Sequence, residues 1–335
     1  MPKLTKKISS AKIKLISIII CVYNESKTLP ACLDSLLKLD YTNYELIMVN
    51  DASTDNTLEI MRKYAKKDKR IKVVTYNQNK GVPGARNEGM KIAKGEVFVF
   101  SDGDCTFYPS WPSHLMQALA NPKVGAAGGR DKSPPHEPLI KQCIDYTMTS
   151  FLGTAGLRGS KTRLAKYSVT GCNFAVRRDV VDKVGMHNEK IRWRGEEKEW
   201  CQRMRNAGYD IKFVPESFVL HYRRISLKSF WNQTYKSGQA RFDIIKASPK
   251  ALEFIHFAPS VFIVFLLLSG IFSLISLKSF YLFLGGLAGY LAVLLIQAIV
   301  GSIKVNNLAA FFLIPITTVV IHLAYGLGLL KKLVG

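Results

Sequence analysis

Acidic residues stand at the ends of apolar runs in three places near the start of the chain. Glu25 closes SIIICVYNE, Asp51 follows YELIMVN, and Asp102-Gly103-Asp104 follows EVFVFS. Two carboxylates flanking one glycine repel each other unless a cation sits between them. A hard divalent ion, Mn2+ or Mg2+, is the natural occupant of such an oxygen site, and a diphosphate is its usual further ligand. Asn24, Ser53 and Asp55, in the same turns, also suit plain capping of the helices that follow. In GVPGARNEG, Arg86 falls on the first turn of a helix, where a guanidinium beside a metal-diphosphate site neutralises phosphate or contacts a base. Farther along, GEEKEWCQRM places Glu196 and Glu197 at a helix start, about 100° apart around its axis. One acid there suits a general base, while the other holds the helix start or complements its dipole. Asn173, the polar group within SVTGCNFAV, and His221, in HYRR, complete the candidates. A histidine in that position either completes a metal shell, touches a diphosphate, or is structural.

These residues need a scaffold that brings distant segments to one edge, and the pattern between them supplies one. Strands are expected at 14–22, 44–50, 71–75 and 96–101, each an apolar, β-branched run, with helices at 28–39, 55–66 and 84–93 between them. Such alternation implies a parallel sheet covered on both faces, with ligands at the carboxyl ends of the strands. No G-x-G-x-x-G follows the first strand and no G-x-x-x-x-G-K-[ST] occurs, which disfavours dinucleotide and P-loop sites. The segment 134–166, glycine-containing and basic toward its end, is expected to form either a flap on the acceptor side or an ordinary helix and loop.

The chain has 335 residues, a formal charge of +22 and 48% hydrophobic residues, too much apolar material for disorder and length enough for about two units. Beyond Phe257 there is no Asp or Glu, and the only cations are Lys278, Lys304, Lys331 and Lys332. Three runs without a charged residue, 257–277, 280–303 and 309–330, are each long enough to cross a hydrocarbon core. Just before them, 226–256 mixes Phe230, Trp231, Tyr235 and Phe242 with Lys228, Lys236, Arg241 and Lys246, which suits a helix in the headgroup region against membrane lipids. Six scattered cysteines without C-x-x-C fit reduced thiols in a cytosolic body, and the positive-inside tendency agrees. The excess of Lys and Arg also fits a basic membrane-binding or nucleic-acid-binding module, but the cations are spread through the body and no nucleic-acid signature appears, so no nucleic-acid partner is expected.

In this order, SIIICVYNE, VNDASTDNT, GARNEG, FSDGDC, TGCNFAVRR and GEEKEWCQRM resemble the inverting family 2 glycosyltransferases of the GT-A fold, over about residues 15–222. The resemblance implies an α/β fold class: a GT-A nucleotide-sugar-binding, Rossmann-like domain followed by an all-α transmembrane region. The implied organisation is a basic arm (1–13), a catalytic domain (14–225), an amphipathic interfacial segment (226–256) and a membrane domain (257–335). It further implies that Tyr23 and Asp51 contact the nucleobase, that Arg86 lies near the base or phosphates, and that Asp102 faces the ribose while Asp104 binds Mn2+ or Mg2+. Glu25 and Asn173 are counted on the donor side, and His221 as a further metal ligand. The family's catalytic base, the second acid of an E-D pair, falls on Glu197, with Glu196 as the other candidate because a Glu stands where the Asp is usual. No Q-x-x-R-W motif is present, so one sugar per encounter is expected. The implied activity is a metal-dependent hexosyltransferase moving a sugar, from a UDP-sugar by preference, to a lipid-linked acceptor of the polyprenyl or dolichyl type. Its expected location is the cell membrane, multi-pass, with the catalytic domain on the cytoplasmic side. The nearest alternative is a dolichyl-phosphate mannose synthase-like enzyme using a GDP-sugar, whose phosphate acceptor needs no strong base.

Overall fold

The computed structural model describes residues 15–155, 166–191, 195–222, 226–251 and 253–334. Among them, eight strands form one mixed sheet: β1 (Ile16–Val22), β2 (Tyr44–Asn50), β3 (Ile71–Thr75), β4 (Val97–Asp102), β5 (Cys105–Phe107), β6 (Val124–Lys132), β7 (Phe174–Arg177) and β8 (Asp210–His221), in the order β3-β2-β1-β4-β7-β6-β8-β5. The helices of the body are α1 (Leu29–Leu36), α2 (Thr57–Lys67), α3 (Gly81–Ile92), α4 (Trp111–Leu119), α5 (Leu139–Thr149), α6 (Phe151–Thr154), α7 (Arg178–Val184) and α8 (Glu196–Asn206).

The first half follows the expectation from sequence closely, because its strands are short apolar runs with a helix between each pair. In β1, Ile16, Ile18, Ile20 and Val22 enter the core layer shared with α1 and α4, whereas Ile19 faces the opposite layer with α3 and α8. Strands β1, β2, β3 and β4 pair in parallel, with Val22 beside Asn50 and Cys21 beside Asp102. That register brings the residues after Val22, Asn50 and Asp102 to one edge. The second half departs from a purely parallel sheet. Strand β7 runs antiparallel to both β4 and β6, and β5 antiparallel to β8. Strand β7 begins only at Phe174, because Thr170 and Asn173 form an isolated bridge across a turn.

The remaining chain is helical: α9 (Leu227–Ala247), α10 (Ala258–Phe272), α11 (Leu277–Val305) and α12 (Ala310–Val334). Among the described residues, three helices are long and apolar enough to cross a membrane, over Phe254–Phe272, Leu277–Val305 and Ala310–Leu333. The turn between the first two apolar runs lies slightly ahead of Lys278. Ser276 caps α11 by accepting from the Ser279 N–H, which puts Lys278 inside its first turn.

Small residues bring α9 and α12 together. A Cβ on Gly238 would clash with the Tyr325 carbonyl, and one on Gly328 with the Tyr235 carbonyl. Within the segment expected as a flap, residues 156–165 lie outside the described part, and 139–154 form α5 and α6 packed on the apolar helices. There Tyr146 donates to Gln297 Oε1 at 2.9 Å, Thr147 and Thr317 share a 2.6 Å hydrogen bond, and the His322 ring lies 3.1 Å from the Leu152 carbonyl.

Candidate active site

The loops after β1 and β2 are laced together before any ligand chemistry begins. Ser53 Oγ accepts from the Asn24 N–H at 3.0 Å, Asn24 Oδ1 accepts from the Thr54 N–H at 2.8 Å, and Thr57 Oγ1 accepts from the Glu25 N–H at 2.9 Å. Asp55 accepts from Ser26 and Thr57. These bonds outweigh the opposing effect of burial and hold its carboxyl low, at about 2. The capping residues of these turns therefore work within the scaffold. Tyr23, 49% exposed, stands free on the same edge, and Asp51 is buried there with Oδ1 accepting from the Lys80 N–H at 2.7 Å. Glu25 accepts from the Thr28 hydroxyl at 2.8 Å and backs the turn at Gly103.

That turn follows β4 directly. Gly103 lies against Val22 and Glu25 so closely that a side chain would clash with Val22, so only glycine lets the two flanking aspartates turn together. Strand β8 ends at His221, paired with Cys105 of β5, and this pairing carries the imidazole to Asp104, with Nε2 3.1 and 3.2 Å from the two carboxylate oxygens. Ligand atoms of Asp102, Asp104 and His221 lie within 4.8 Å of one another. Two carboxylates and one imidazole are a donor set that fits a hard divalent cation. Burial first, and then the neighbouring Asp104, raise the Asp102 carboxyl above its usual range, with Arg86 opposing. Asp131 of β6, which sequence reading does not single out, is buried 3.6 Å from His221 Nδ1; no motif in GGRDK announces it, since β6 meets β8 only through long-range pairing.

Glu196 and Glu197 open α8, and Arg86 joins them to the aspartates. The guanidinium is 2% exposed, with Nη1 3.2 Å from Glu196 and 3.3 Å from Glu197, and Nη2 donates to the Gly171 carbonyl at 2.9 Å. Asp102 lies 3.9 Å from the same Nη2. Phe100 and Phe174 flank the guanidinium, their ring centroids 5.9 and 5.3 Å away. A Cβ on Gly171 would meet both Glu197 and Arg86, so the backbone approach here also requires glycine. Burial and the adjacent Glu197 push the Glu196 carboxyl up to about 8, against the pull of Arg86. Glu196 therefore keeps its proton at neutral pH beside Glu197, an arrangement that suits the pair to acid–base work.

One expectation gains partners and one changes. Arg86 is engaged by the glutamates and Gly171 and lies 3.9 Å from Asp102, so it sets the charge of the pair beside the metal donor set. Asn173, expected on the donor side, is fully buried: its Oδ1 accepts from Trp111 Nε1 at 2.8 Å and its amide donates to the Arg130 and Ser217 carbonyls. It locks β6, β8 and α4 together, and every hydrogen-bonding atom of its side chain is used in doing so.

Residues 17–185 match the family model described as glycosyl transferase family 2, and residues 154–226 match that described as the N-terminal domain of galactosyltransferase. The chain belongs to glycosyl transferase family 2 and is a glycosyltransferase. It is 27% identical over 226 residues to the glycosyltransferase AglE of Haloferax volcanii, covering 64% of this chain and 69% of AglE. With the glycosyltransferase GlyG of Streptococcus pneumoniae it shares 38% identity over 230 residues, 69% of this chain and 62% of GlyG. The chain spans just over half the length of several other curated relatives, among them a poly-beta-1,6-N-acetyl-D-glucosamine synthase of Staphylococcus epidermidis, of which 55% is covered. In fold it is similar to the mannosyltransferase PcManGT from Pyrobaculum calidifontis, solved in complex with GDP-Man and Mn2+, with TM-score 0.64, 17% identity and coverage of 92% of this chain and 88% of that one.

Proposed function

We propose that this glycosyltransferase is a membrane-anchored, inverting enzyme that moves one sugar from a nucleotide-sugar donor, a UDP-sugar by preference, to a lipid-linked acceptor. The observation that carries the reading is the juxtaposition of the Asp102–Asp104–His221 donor set with the Glu196–Glu197 pair through the single buried Arg86. The anchor is argued from the three apolar helices, and a cytoplasmic body from the positive-inside tendency.

In this reading Asp104, Asp102 and His221 hold Mn2+ or Mg2+. A metal held there would supply charge neutralisation for a departing diphosphate. Tyr23 and Asp51 receive the nucleobase at the ends of β1 and β2. Glu197, the less buried of the two glutamates, takes the proton of the acceptor hydroxyl as its oxygen attacks the anomeric carbon, while Glu196 and Arg86 hold the charge state of the pair. The catalytic unit runs over 14–225, the amphipathic segment over 226–256 and the membrane unit over 257–335.

Purified full-length protein with Mn2+, a panel of UDP- and GDP-sugars and polyprenyl-linked acceptors should transfer sugar in at least one pairing; neither transfer nor donor hydrolysis in any pairing refutes the reading. A polyprenyl-phosphate glycosyltransferase is the second reading. It is favoured by the likeness to PcManGT, which extends along 92% of the chain and so includes the apolar helices. A phosphate nucleophile needs no strong base, so full activity of Glu197→Gln would select it.

A further inference from the structure

The basic residues of α9 point outward with one exception. Lys228, Lys236 and Lys246 are exposed, whereas Arg241 is 4% exposed at the seam between α9 and the apolar helices. Its Nε donates to the Tyr325 hydroxyl of α12 at 3.0 Å, and its Nη1 is buried with no hydrogen-bond partner. Among the described residues no carboxylate lies within 4.0 Å of its guanidinium. A buried guanidinium without a counter-charge is costly, and proteins keep one where an anion arrives to satisfy it.

The surroundings indicate which anion. Lys198 follows Glu197 on the first turn of α8, and His256, just ahead of α10, lies within electrostatic reach of both Lys198 and Arg241. The His256 Nδ1 accepts from the Glu253 N–H, which leaves Nε2 as the proton-bearing donor. Helix α9 is held against the start of α8, where Ile244 fills the space beside Gly195. On the other side, α10 presents exposed Val261, Phe265 and Leu268. Cationic and neutral donors thus stand between the glutamate pair and an apolar helical surface.

We propose that Arg241, with Lys198 and His256, binds the phosphate or diphosphate of a polyprenyl-linked substrate, the isoprenoid tail running along α10 to α12. The proposal rests on the lipid-linked reading above. It places the anchoring phosphate at the seam and the acceptor group toward Glu197.

The test uses the full chain in phosphatidylcholine nanodiscs, with undecaprenyl phosphate, undecaprenyl diphosphate, phosphatidylglycerol and inorganic pyrophosphate as probes. Wild type should be thermally stabilised by an undecaprenyl species at concentrations where phosphatidylglycerol and pyrophosphate do nothing. Arg241→Met should bind that lipid about tenfold or more weakly, the loss of charge-assisted hydrogen bonds, while melting no lower than wild type when empty, since an uncompensated charge has been removed. Lys198→Gln should weaken binding in the same direction, and Arg241→Lys should recover part of it. Unchanged lipid binding in both Arg241→Met and Lys198→Gln overturns the proposal, as does a lowered melting point of empty Arg241→Met, which would make Arg241 structural. Equal stabilisation by phosphatidylglycerol overturns it too, assigning the site to bulk headgroups. Mn2+-dependent nucleotide binding should be the same in wild type and Arg241→Met. Its absence from wild type would count against the donor-site reading and leave the lipid measurement standing.

Discussion

Replacing Arg86 by methionine tests the charge arithmetic on which the site depends. The guanidinium is 2% exposed and lies 3.2 to 3.3 Å from two carboxylates and 3.9 Å from a third, so its loss strands negative charge in a closed space. Breaking a buried ion pair from one side costs about 3–5 kcal/mol. For a domain of this size that is a fall in melting temperature of about 6–20 °C. The pH dependence is the sharper signature. Glu196 titrates at about 8 in the folded chain, above the ordinary carboxyl value, so the native state keeps a proton that the unfolded chain has already released between the two values. Stability therefore falls as pH rises through that window and levels off above about 8. Without Arg86 the two glutamates lose their counter-charge, so the deficit relative to wild type is smallest near pH 5, where protons can replace it, and grows toward pH 8. Thermal unfolding in detergent, followed by tryptophan fluorescence, reads this directly, since Trp200 packs in the same half of the core against Phe100 and Phe174. A deficit below about 1 kcal/mol at pH 8, or one of equal size at pH 5 and pH 8, would refute the shared-charge account.

Glu197→Gln should lower kcat by about 10²–10⁴ with donor affinity retained, as expected for loss of a general base. Glu196→Gln should lower it less; a reversed order of the two effects would exchange their roles. Asp104→Asn should abolish Mn2+-dependent nucleotide binding in calorimetry, and His221→Gln should weaken it, with melting temperatures close to wild type; binding unchanged in both would remove the metal assignment. Gly238→Leu drives a side chain into the Tyr325 carbonyl, and overpacking of that kind costs about 1–3 kcal/mol, so α9 should become more sensitive to proteolysis, whereas an unchanged digestion pattern would mean that the helices are not clamped there.

The parallel half of the sheet was legible because each signal is local. An apolar run stops, an acid or a small polar residue follows, and a helix begins within a few positions, so Asp51, Asp102 and Asp104 fall at one edge once alternation is recognised. The antiparallel half was not, because β6, β7 and β8 meet residues 40 or more positions away and no composition rule sets their order. That difference accounts for what particular residues did not reveal. Asn173 carries the same polar signal as a donor-binding residue, and only the long-range meeting of Trp111, Arg130 and Ser217 reveals that its amide is consumed in the core. Arg86 sits on the first turns of α3, yet its partners arrive 110 positions later, so its part as counter-charge of the glutamates could not be read locally. Helix α9 shows the same limit from the other side. Its amphipathic pattern is plain in the sequence, but the pattern treats Arg241 as one more outward cation. Only the close approach of Gly238 and Gly328 to the facing helix buries it, and a buried cation asks for an anion where an exposed one asks for nothing.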